Sequence, residues 1–146
     1  MVKIQIKDHV IVCGFGIVGE KVVDMLVEKG ISFVIIENDA QAASRIRELG
    51  YNIVEGDATT SKAMKEASIE SAKAIAIVMD NDAKNLFAVL TARDLNGKIF
   101  IATRATDAFV KEKLVEAGAD YVVLPQRSAS REIMDELMKD KKEVKK

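Results

Sequence analysis

Three glycines near the start of the chain have the spacing of a loop that binds phosphate groups. The segment Gly14-Phe15-Gly16-Ile17-Val18-Gly19 is a G-x-G-x-x-G between an apolar run and an amphipathic stretch. In such a loop Gly14 allows the tight turn, Gly16 admits a pyrophosphate against bare backbone, and Gly19 lets the following helix pack closely. The first N–H groups of a helix are unpaired and carry partial positive charge, so they attract phosphate. We therefore predict a nucleotide site at this loop.

An acidic side chain follows the glycine loop at the distance expected for ribose recognition. Glu37 ends the second apolar run, and in dinucleotide-binding folds such an acid lies about 20 residues after the loop. A carboxylate there accepts hydrogen bonds from a ribose diol and repels a 2′-phosphate, and Asn38 and Asp39 add no basic group. The expected ligand is NAD(H) or an adenine nucleotide (ATP, ADP or AMP), with NADP disfavoured. The alternative is a helix-capping acid beside a purely structural glycine turn.

Short β-branched runs alternate with amphipathic stretches along the chain, as is typical of parallel strands buried on both faces. The predicted strands are His9–Cys13, Ser32–Ile36, Tyr51–Val54, Ala74–Val78, Ile99–Thr103 and Tyr121–Leu124. The predicted helices are Ile17–Lys29, Gln41–Leu49, Lys62–Ala67, Ala83–Leu95, Asp107–Ala117 (with Asp107 as N-cap) and Ser128–Lys139. This alternation predicts a single-domain α/β fold, a doubly wound, Rossmann-like parallel sheet of six strands in the order 3-2-1-4-5-6. We place the domain at residues 1–138 and predict a disordered, Lys-rich tail at 139–146.

The composition excludes several classes of function. With one cysteine (Cys13) and one histidine (His9), the chain can form neither an internal disulfide nor a Cys- or His-rich metal cage, so we predict no metal site. We expect Cys13 to be a packed thiol and His9 to lie at the solvated start of the first strand. A net charge of −1 is unlike the basic footprint of a nucleic-acid binder. No apolar run is long enough to cross a bilayer, and the N-terminus lacks the shape of a secretory signal, so we expect the cytosol.

Several further segments, together with the glycine loop, resemble one known family. They are Gly56-Asp57-Ala58-Thr59 after the third strand, Val78-Met79-Asp80-Asn81-Asp82 after the fourth, Ile101-Ala102-Thr103-Arg104-Ala105 at the end of the fifth, and Ala117–Pro125 around the sixth. The chain resembles the regulator of K+ conductance (RCK) family, also called the Trk-A N-terminal (TrkA-N) or KTN domain, from Val10 to about Glu136.

The resemblance implies a set of nucleotide-binding residues. Gly14 to Val18 would hold the phosphates, and Glu37 would hold the ribose. The full set is Gly14, Phe15, Gly16, Ile17, Val18, Gly19, Glu37, Asn38, Asp57, Ala58, Met79, Asp80 and Arg104.

Five of these positions have the roles that the resemblance assigns to the later strands. Asp57 and Ala58 would lie near the adenine, Met79 and Asp80 would line the crevice above the fourth strand, and Arg104 would reach a phosphate. A guanidinium suits that last role because it presents a fixed fork of donors to phosphate oxygens. The alternatives are a turn-capping role for Asp57, a surface ion pair for Arg104 and a place in the core for Met79.

The same resemblance implies a regulatory function. Such domains are cytoplasmic, ligand-binding parts of potassium channels or Trk-type potassium transporters, and they pass a conformational change to the membrane pore. We therefore expect a non-enzymatic domain at the inner face of the cell membrane, with a channel or transporter subunit as its partner and with a homodimer or higher oligomer as its assembly. Candidate interface positions, for which core packing is the alternative, are Phe87, Leu90, Phe109, Ile133 and Met134.

Two other functions remain open on the residues alone. A small NAD-dependent oxidoreductase would use the same glycine loop, with Asp80 or Lys84 as a conceivable general acid. However, neither Tyr51 nor Tyr121 has the lysine four positions later that short-chain reductases use. The other alternative is a structural oligomerisation module with an unused pocket, against which the intact glycines and Glu37 argue.

Overall fold

Six strands and six α-helices alternate along the computed structural model, which describes residues 3–139. The strands are β1 (Val10–Cys13), β2 (Phe33–Glu37), β3 (Ile53–Glu55), β4 (Ala74–Ile77), β5 (Phe100–Arg104) and β6 (Tyr121–Val123). The helices are α1 (Ile17–Glu28), α2 (Ala40–Glu48), α3 (Ser61–Glu66), α4 (Asp82–Leu95), α5 (Ala108–Ala117) and α6 (Pro125–Leu137), and a 3-10 turn covers Ile69–Ser71. Residues 140–146, which belong to the predicted Lys-rich tail, lie outside the described residues.

The sheet is entirely parallel and has the order β3-β2-β1-β4-β5-β6, which confirms the predicted topology. The central strand β1 pairs with β2 on one side and β4 on the other, so that Cys13 lies in register between Ile36 and Ile77. The chain reverses its direction of winding at this point. In doubly wound sheets ligands bind outside the carboxyl ends of the strands at such a reversal.

Alternate residues of the strands pack into two apolar layers, one on each face of the sheet. On one face Val12 packs with Val23 of α1 and Ile46 of α2. On the other face Ile11 and Cys13 belong to the cluster that includes Met64 of α3, Val89 of α4 and Leu114 of α5. Because both faces are covered by helices, the strands are apolar runs rather than alternating patterns, and charged side chains appear only at their carboxyl ends, at Glu37, Glu55 and Arg104.

Four of the helices begin with a side-chain cap, and two do not. In α2, α3, α4 and α5 the side chain of the N-cap residue accepts a hydrogen bond from the backbone N–H three positions later. These N-cap residues are Asp39, Thr60, Asn81 and Asp107, in that order. This confirms the predicted cap of α5. Helices α1 and α6 begin at Gly16 and Leu124, which offer no side-chain acceptor. Helix α6 starts at Pro125, three residues before the predicted start, because a proline at the first helical position lacks only an N–H that would be unpaired anyway.

The prediction that His9 is solvated is wrong. The His9 side chain is fully buried, and its Nε2 lies 2.8 Å from the carbonyl oxygen of Ala67. The segment before β1 covers it, since the N–H of Ile4 donates to Glu66 and the N–H of Asp8 donates to Ser71. These long-range backbone hydrogen bonds have no signature in the local sequence.

The apolar interface candidates are on the surface rather than in the core. Their exposed fractions range from 46% for Leu90 to 67% for Phe109, so the core-packing alternative is wrong. Helix α6 has no buried residue at all. None of the helices within residues 3–139 combines the length and the apolar character needed to span a bilayer.

Candidate functional site

The carboxyl ends of β1 to β5 surround a cleft of about 500 Å³. Twelve of the thirteen predicted site residues line it: Gly14, Phe15, Gly16, Ile17, Val18, Glu37, Asn38, Asp57, Ala58, Met79, Asp80 and Arg104. The thirteenth, Gly19, is buried in α1. The fold thus gathers side chains that are separated by up to 90 positions in the sequence, because parallel strands bring their carboxyl ends to one edge.

The three glycines occupy different environments. Gly14 has a φ of +100°, which only glycine adopts without strain, and a Cβ there would lie 3.0 Å from the Met79 side chain. A Cβ on Gly19 would lie only 2.0 Å from the carbonyl oxygen of Gly14, so a side chain is excluded where α1 approaches the loop. A Cβ on Gly16 would meet no atom within 4 Å. The backbone at Gly16 therefore faces open space, so a ligand could approach it closely.

The open start of α1 lies in this cleft. Gly16 occupies the N-cap position without a side-chain acceptor, and Ile17 and Val18 of the first turn line the cleft. The partial positive charge of a helix start attracts anions. A phosphate group placed here would supply the acceptors that a capping side chain supplies in α2 to α5.

Glu37 joins the end of β2 to the glycine loop. Its Oε1 accepts a hydrogen bond from the N–H of Phe15 at 2.8 Å, and its Oε2 accepts one from the N–H of Asp39 at 2.8 Å. A carboxylate has about four acceptor positions, so two remain for a further donor pair such as a diol. The structural alternative is thus partly correct, since Glu37 does hold the loop, but it leaves acceptor capacity facing the cleft.

Asp57 forms the β3 side of the cleft. Its Oδ1 accepts hydrogen bonds from the N–H and the hydroxyl of Thr59, at 2.9 Å and 2.7 Å. Two hydrogen bonds from Thr59, first the one from its N–H and then the one from its hydroxyl, hold the pKa of Asp57 below its usual value. Burial opposes this shift with a smaller effect, and the positive charge of Lys84 adds a slight further lowering. Asp57 closes its own turn, while Thr60 caps α3. Its capping role and its place in the cleft therefore coexist.

A buried amide fixes the β4 side of the cleft. Asn85 accepts a hydrogen bond from the Met79 N–H at 3.0 Å and donates one to the Met79 carbonyl at 2.9 Å. Met79 packs against the core and also lines the cleft, so both of its predicted environments are present. Asn85 does not line the cleft, and it acts by holding the backbone that does.

Two cations and four carboxylates line the cleft. The cations are Lys84 and Arg104, and the carboxylates are Glu37, Asp39, Asp57 and Asp80. Arg104 is half-buried, and its side chain takes part in none of the hydrogen bonds or ion pairs of residues 3–139. Within this part of the chain the alternative of a surface ion pair is therefore wrong, and the guanidinium keeps its donors for another acceptor.

The predicted set of nucleotide-binding residues omitted several residues of the cleft, of which Lys84, named only as a conceivable general acid, is the most informative. Lys84 lies in the first turn of α4, yet its charge reaches Asp57 beyond β3. This proximity arises because α4 packs against the loop after β3, where the Thr91 hydroxyl donates to the Thr59 carbonyl at 2.9 Å. No local pattern reveals that contact. The other missed lining residues are Ile36, Asp39, Ala42, Gly56 and Val78.

Neither a metal site nor a reactive thiol is evident in the described part of the chain. Within residues 3–139 no three His, Cys, Asp or Glu side chains gather as a metal ligand set. Cys13 is fully buried, and this burial raises the pKa of its thiol far above the usual range. The expectation of a packed thiol is confirmed.

Comparison with known proteins decides the family. The TrkA-N domain family matches residues 10–125. The chain belongs to this family. The chain is similar to the crystal structure of the TrkA-N domain of the inner membrane protein YbaL from Escherichia coli, at 29% identity and a TM-score of 0.88. The superposition includes 93% of this chain and 100% of the YbaL domain.

Two longer relatives place the TrkA-N domain in context. The chain is 36% identical over 123 residues to potassium channel protein 1 of Methanocaldococcus jannaschii. The matched region is 83% of this chain but only 37% of the channel protein. The structure of the GsuK channel bound to NAD covers 82% of this chain and 22% of that one, at 22% identity and a TM-score of 0.75. The second likeness establishes the fold alone. The chain thus spans little more than a third of the potassium channel relative that it matches.

Proposed function

We propose that this TrkA-N domain binds NAD(H) or an adenine nucleotide in the cleft and thereby regulates a potassium channel or a Trk-type potassium transporter. The observation that carries the proposal is the pairing of the uncapped start of α1 with Glu37, whose carboxylate holds the glycine loop and keeps free acceptor positions. One feature suits a diphosphate and the other suits a ribose diol. The likeness to the GsuK channel, which was solved with NAD, supports the same ligand class.

Donors and acceptors alternate along the edge of the sheet in an order that suits a dinucleotide. Across the strands from β3 to β5 lie the acceptors Asp57 and Glu37, the bare loop around Gly16, the acceptor Asp80 and the donor Arg104. Acceptors on both sides of a phosphate-binding loop match two ribose groups joined by a diphosphate. A triphosphate would place additional negative charge towards Asp80, and a 2′-phosphate would meet Glu37 and Asp39. We infer the preference NAD(H) or ADP over ATP, with NADP disfavoured.

We propose the same individual roles that the family resemblance implies. Gly14 to Val18 hold the diphosphate, Glu37 binds the adenosine ribose, and Asp57 and Ala58 lie beside the adenine. The contacts on the other half of the ligand come from Met79, Asp80 and Arg104.

Regulation requires that the ligand prefer one of two arrangements of the domain and its partners. The coupling free energy equals the difference in ligand affinity between those arrangements. We propose a cytoplasmic location, a membrane-embedded channel or transporter subunit as the partner, and a homodimer built from the exposed apolar side chains Phe87, Leu90 and Phe109, with Ile133 and Met134 of α6 as further contacts. We assign no catalytic role to the cleft, because the relative potassium channel protein 1 is named as a channel and not as an enzyme.

Isothermal titration calorimetry with NADH, ADP, ATP and NADPH tests the proposal. We expect NADH and ADP to bind, NADPH to bind at least about tenfold more weakly than NADH, and Glu37→Gln to weaken NADH binding about tenfold or more because one charged acceptor pair is lost. Glu48→Gln, at an exposed position of α2 away from the cleft, is the matched control and should bind as the wild type does. Tighter binding of NADPH than of NADH, or unchanged binding by Glu37→Gln, would contradict the ribose role. Steady turnover of NADH with a small substrate would contradict a regulatory function.

A further inference from the structure

A second cleft lies between α5, β6 and α6, and it shares no residue with the nucleotide cleft. Its volume is about 230 Å³. The β6 segment Tyr121–Leu124 forms its floor, and the side chains around it are Lys111 of α5 and Arg127, Ser128 and Arg131 of α6. All the charged side chains that line this second cleft are therefore cations.

These three cations have no carboxylate partner within the described part of the chain. The ion pairs of residues 3–139 use Arg45, Arg47, Arg93, Lys113 and Lys139. Arg127 and Arg131 are instead separated by one helical turn, where like charges are neighbours and repel. Asp135 lies one turn further along α6 but makes no ion pair with Arg131. The second cleft thus concentrates uncompensated positive charge in a concave surface.

One neutral donor adjoins the three cations. The Ser128 hydroxyl lies on the wall of the second cleft, and the Ser128 N–H is already used by the Leu124 carbonyl at 2.8 Å. Leu124 supplies no capping acceptor, and the first turn of α6 contains no acidic residue. The start of α6 adds to the positive potential, but the cations from two different helices define the site. Two guanidinium groups and an ammonium match the oxygens of a phosphate or a carboxylate.

We propose that the second cleft binds a small anion that carries phosphate or carboxylate groups, at a site separate from the nucleotide cleft. The chemistry that recognises it is bidentate contact from Arg127 and Arg131, completed by Lys111 and the Ser128 hydroxyl. The site is one strand pair away from the nucleotide cleft, since Val123 in its floor lies in register with Arg104. This proposal does not depend on nucleotide binding.

Backbone amide chemical shifts, followed by NMR during titration with inorganic phosphate and then with pyrophosphate, test the second cleft. We expect saturable shifts at Tyr121–Leu124 and Ser128, and at least a tenfold weaker affinity in Arg127→Gln/Arg131→Gln. The control Arg47→Gln/Lys113→Gln removes the same charge from exposed ion pairs and should keep the wild-type affinity. The phosphate affinity read from these shifts should be the same in Arg104→Ala as in the wild type, which separates the site from the nucleotide cleft.

Three outcomes would overturn the proposal. One is the absence of saturable shifts in β6 and at the start of α6. Another is equal weakening in the two double variants, which would indicate a general effect of net charge. The third arises in a parallel arm with vesicles of phosphatidylglycerol and phosphatidylcholine: vesicle binding without saturable phosphate binding would assign these cations to a membrane surface instead. Saturable binding of free phosphate with no vesicle binding would support a soluble anion, and saturable binding of both would support the same site with a lipid headgroup as its source.

Discussion

Arg93 and Arg104 lie at opposite edges of the same sheet and have opposite surroundings. The Arg93 guanidinium donates to the carbonyls of Gly118, Gly97 and Ile99 at distances from 2.7 to 3.2 Å. It also pairs with Asp120 at 2.8 Å, and the same carboxylate oxygen accepts the Ile101 N–H. These partners lie in the segments that lead into β5 and β6, at the amino edge of the sheet.

Arg104, by contrast, lies at the end of β5 without a partner among residues 3–139. An arginine side chain thus has hydrogen-bond acceptors for all its donors at the amino edge, and within residues 3–139 it has none at the carboxyl edge. Arg93 holds together the segments that lead into β5 and β6, whereas the half-buried Arg104 guanidinium has no acceptor within residues 3–139. The amino edge is thus held together by hydrogen bonds, whereas the carboxyl edge keeps donors available for the nucleotide that we propose.

The largest expected effect is on the stability provided by the amino edge of the sheet. Arg93→Leu should lower the free energy of unfolding by about 3 kcal/mol, because it leaves three carbonyls and the Asp120 carboxylate without their donor. Urea denaturation measures this change, and calorimetry on the folded variant should show unchanged NADH affinity. The control Arg47→Leu breaks one exposed ion pair with Glu55 and should cost below about 1 kcal/mol. A loss of NADH affinity in folded Arg93→Leu would show that the two edges are not independent.

Next in size is the effect of a side chain on the bare part of the loop. Gly16→Val should leave stability nearly unchanged, because a Cβ there meets no atom within 4 Å and the φ of −82° suits any residue. It should weaken NADH binding by about 30-fold or more, since branched carbons would occupy the space of the diphosphate, a loss of about 2 kcal/mol. Gly19→Ala is the opposite case, with a 2.0 Å clash against backbone, and should destabilise the fold. Full NADH affinity in Gly16→Val would contradict the proposed position of the diphosphate.

At the carboxyl edge, Arg104→Ala should weaken ligand binding and leave the stability of the fold unchanged. We expect the unfolding midpoint in urea to stay unchanged and the affinity for ADP and NADH to fall about tenfold, or about 1.4 kcal/mol. Adenosine, which carries no phosphate, should bind the variant and the wild type equally. Equal loss for adenosine and ADP would show that Arg104 does not contact a phosphate.

The smallest effect concerns the pH dependence of stability through Asp57. Because hydrogen bonds from Thr59 lower its pKa in the folded state, the ionised carboxylate stabilises the fold above the unfolded pKa of about 3.9. This contribution disappears as the pH falls through the lower, folded pKa, and it should stay below about 1 kcal/mol because the group is exposed. Urea titrations between pH 7 and pH 3 should show the wild type losing its advantage over Asp57→Asn in that range, whereas Asp24→Asn should parallel the wild type. Parallel curves for Asp57→Asn would contradict the assignment.

The sequence was sufficient for the topology because the topology depends on local patterns. Apolar runs, glycine stops and the caps of the helices alternate regularly, and chain direction then leaves few arrangements for a parallel sheet. The glycine loop and Glu37 were also evident, since both are defined by spacing within one β-α-β unit.

What the sequence did not reveal depends on contacts between distant segments. His9 is buried by a segment that bonds to residues 66–71, and Lys84 enters the cleft because α4 packs on the loop after β3. Arg93 lies in the last turn of α4 and Arg104 ends β5, and neither local setting shows that Arg93 finds acceptors up to 27 positions away. Arg104 was found through the family resemblance rather than from its spacing.

A crystal structure of the chain grown with millimolar NADH tests the proposed nucleotide site most directly. We expect the diphosphate to lie against the backbone from Gly14 to Val18, with a ribose diol on the Glu37 carboxylate and Arg104 turned to a phosphate oxygen. An empty cleft at saturating NADH, or NADH bound elsewhere on the surface, would contradict the claim that the carboxyl edge of this sheet is a nucleotide site.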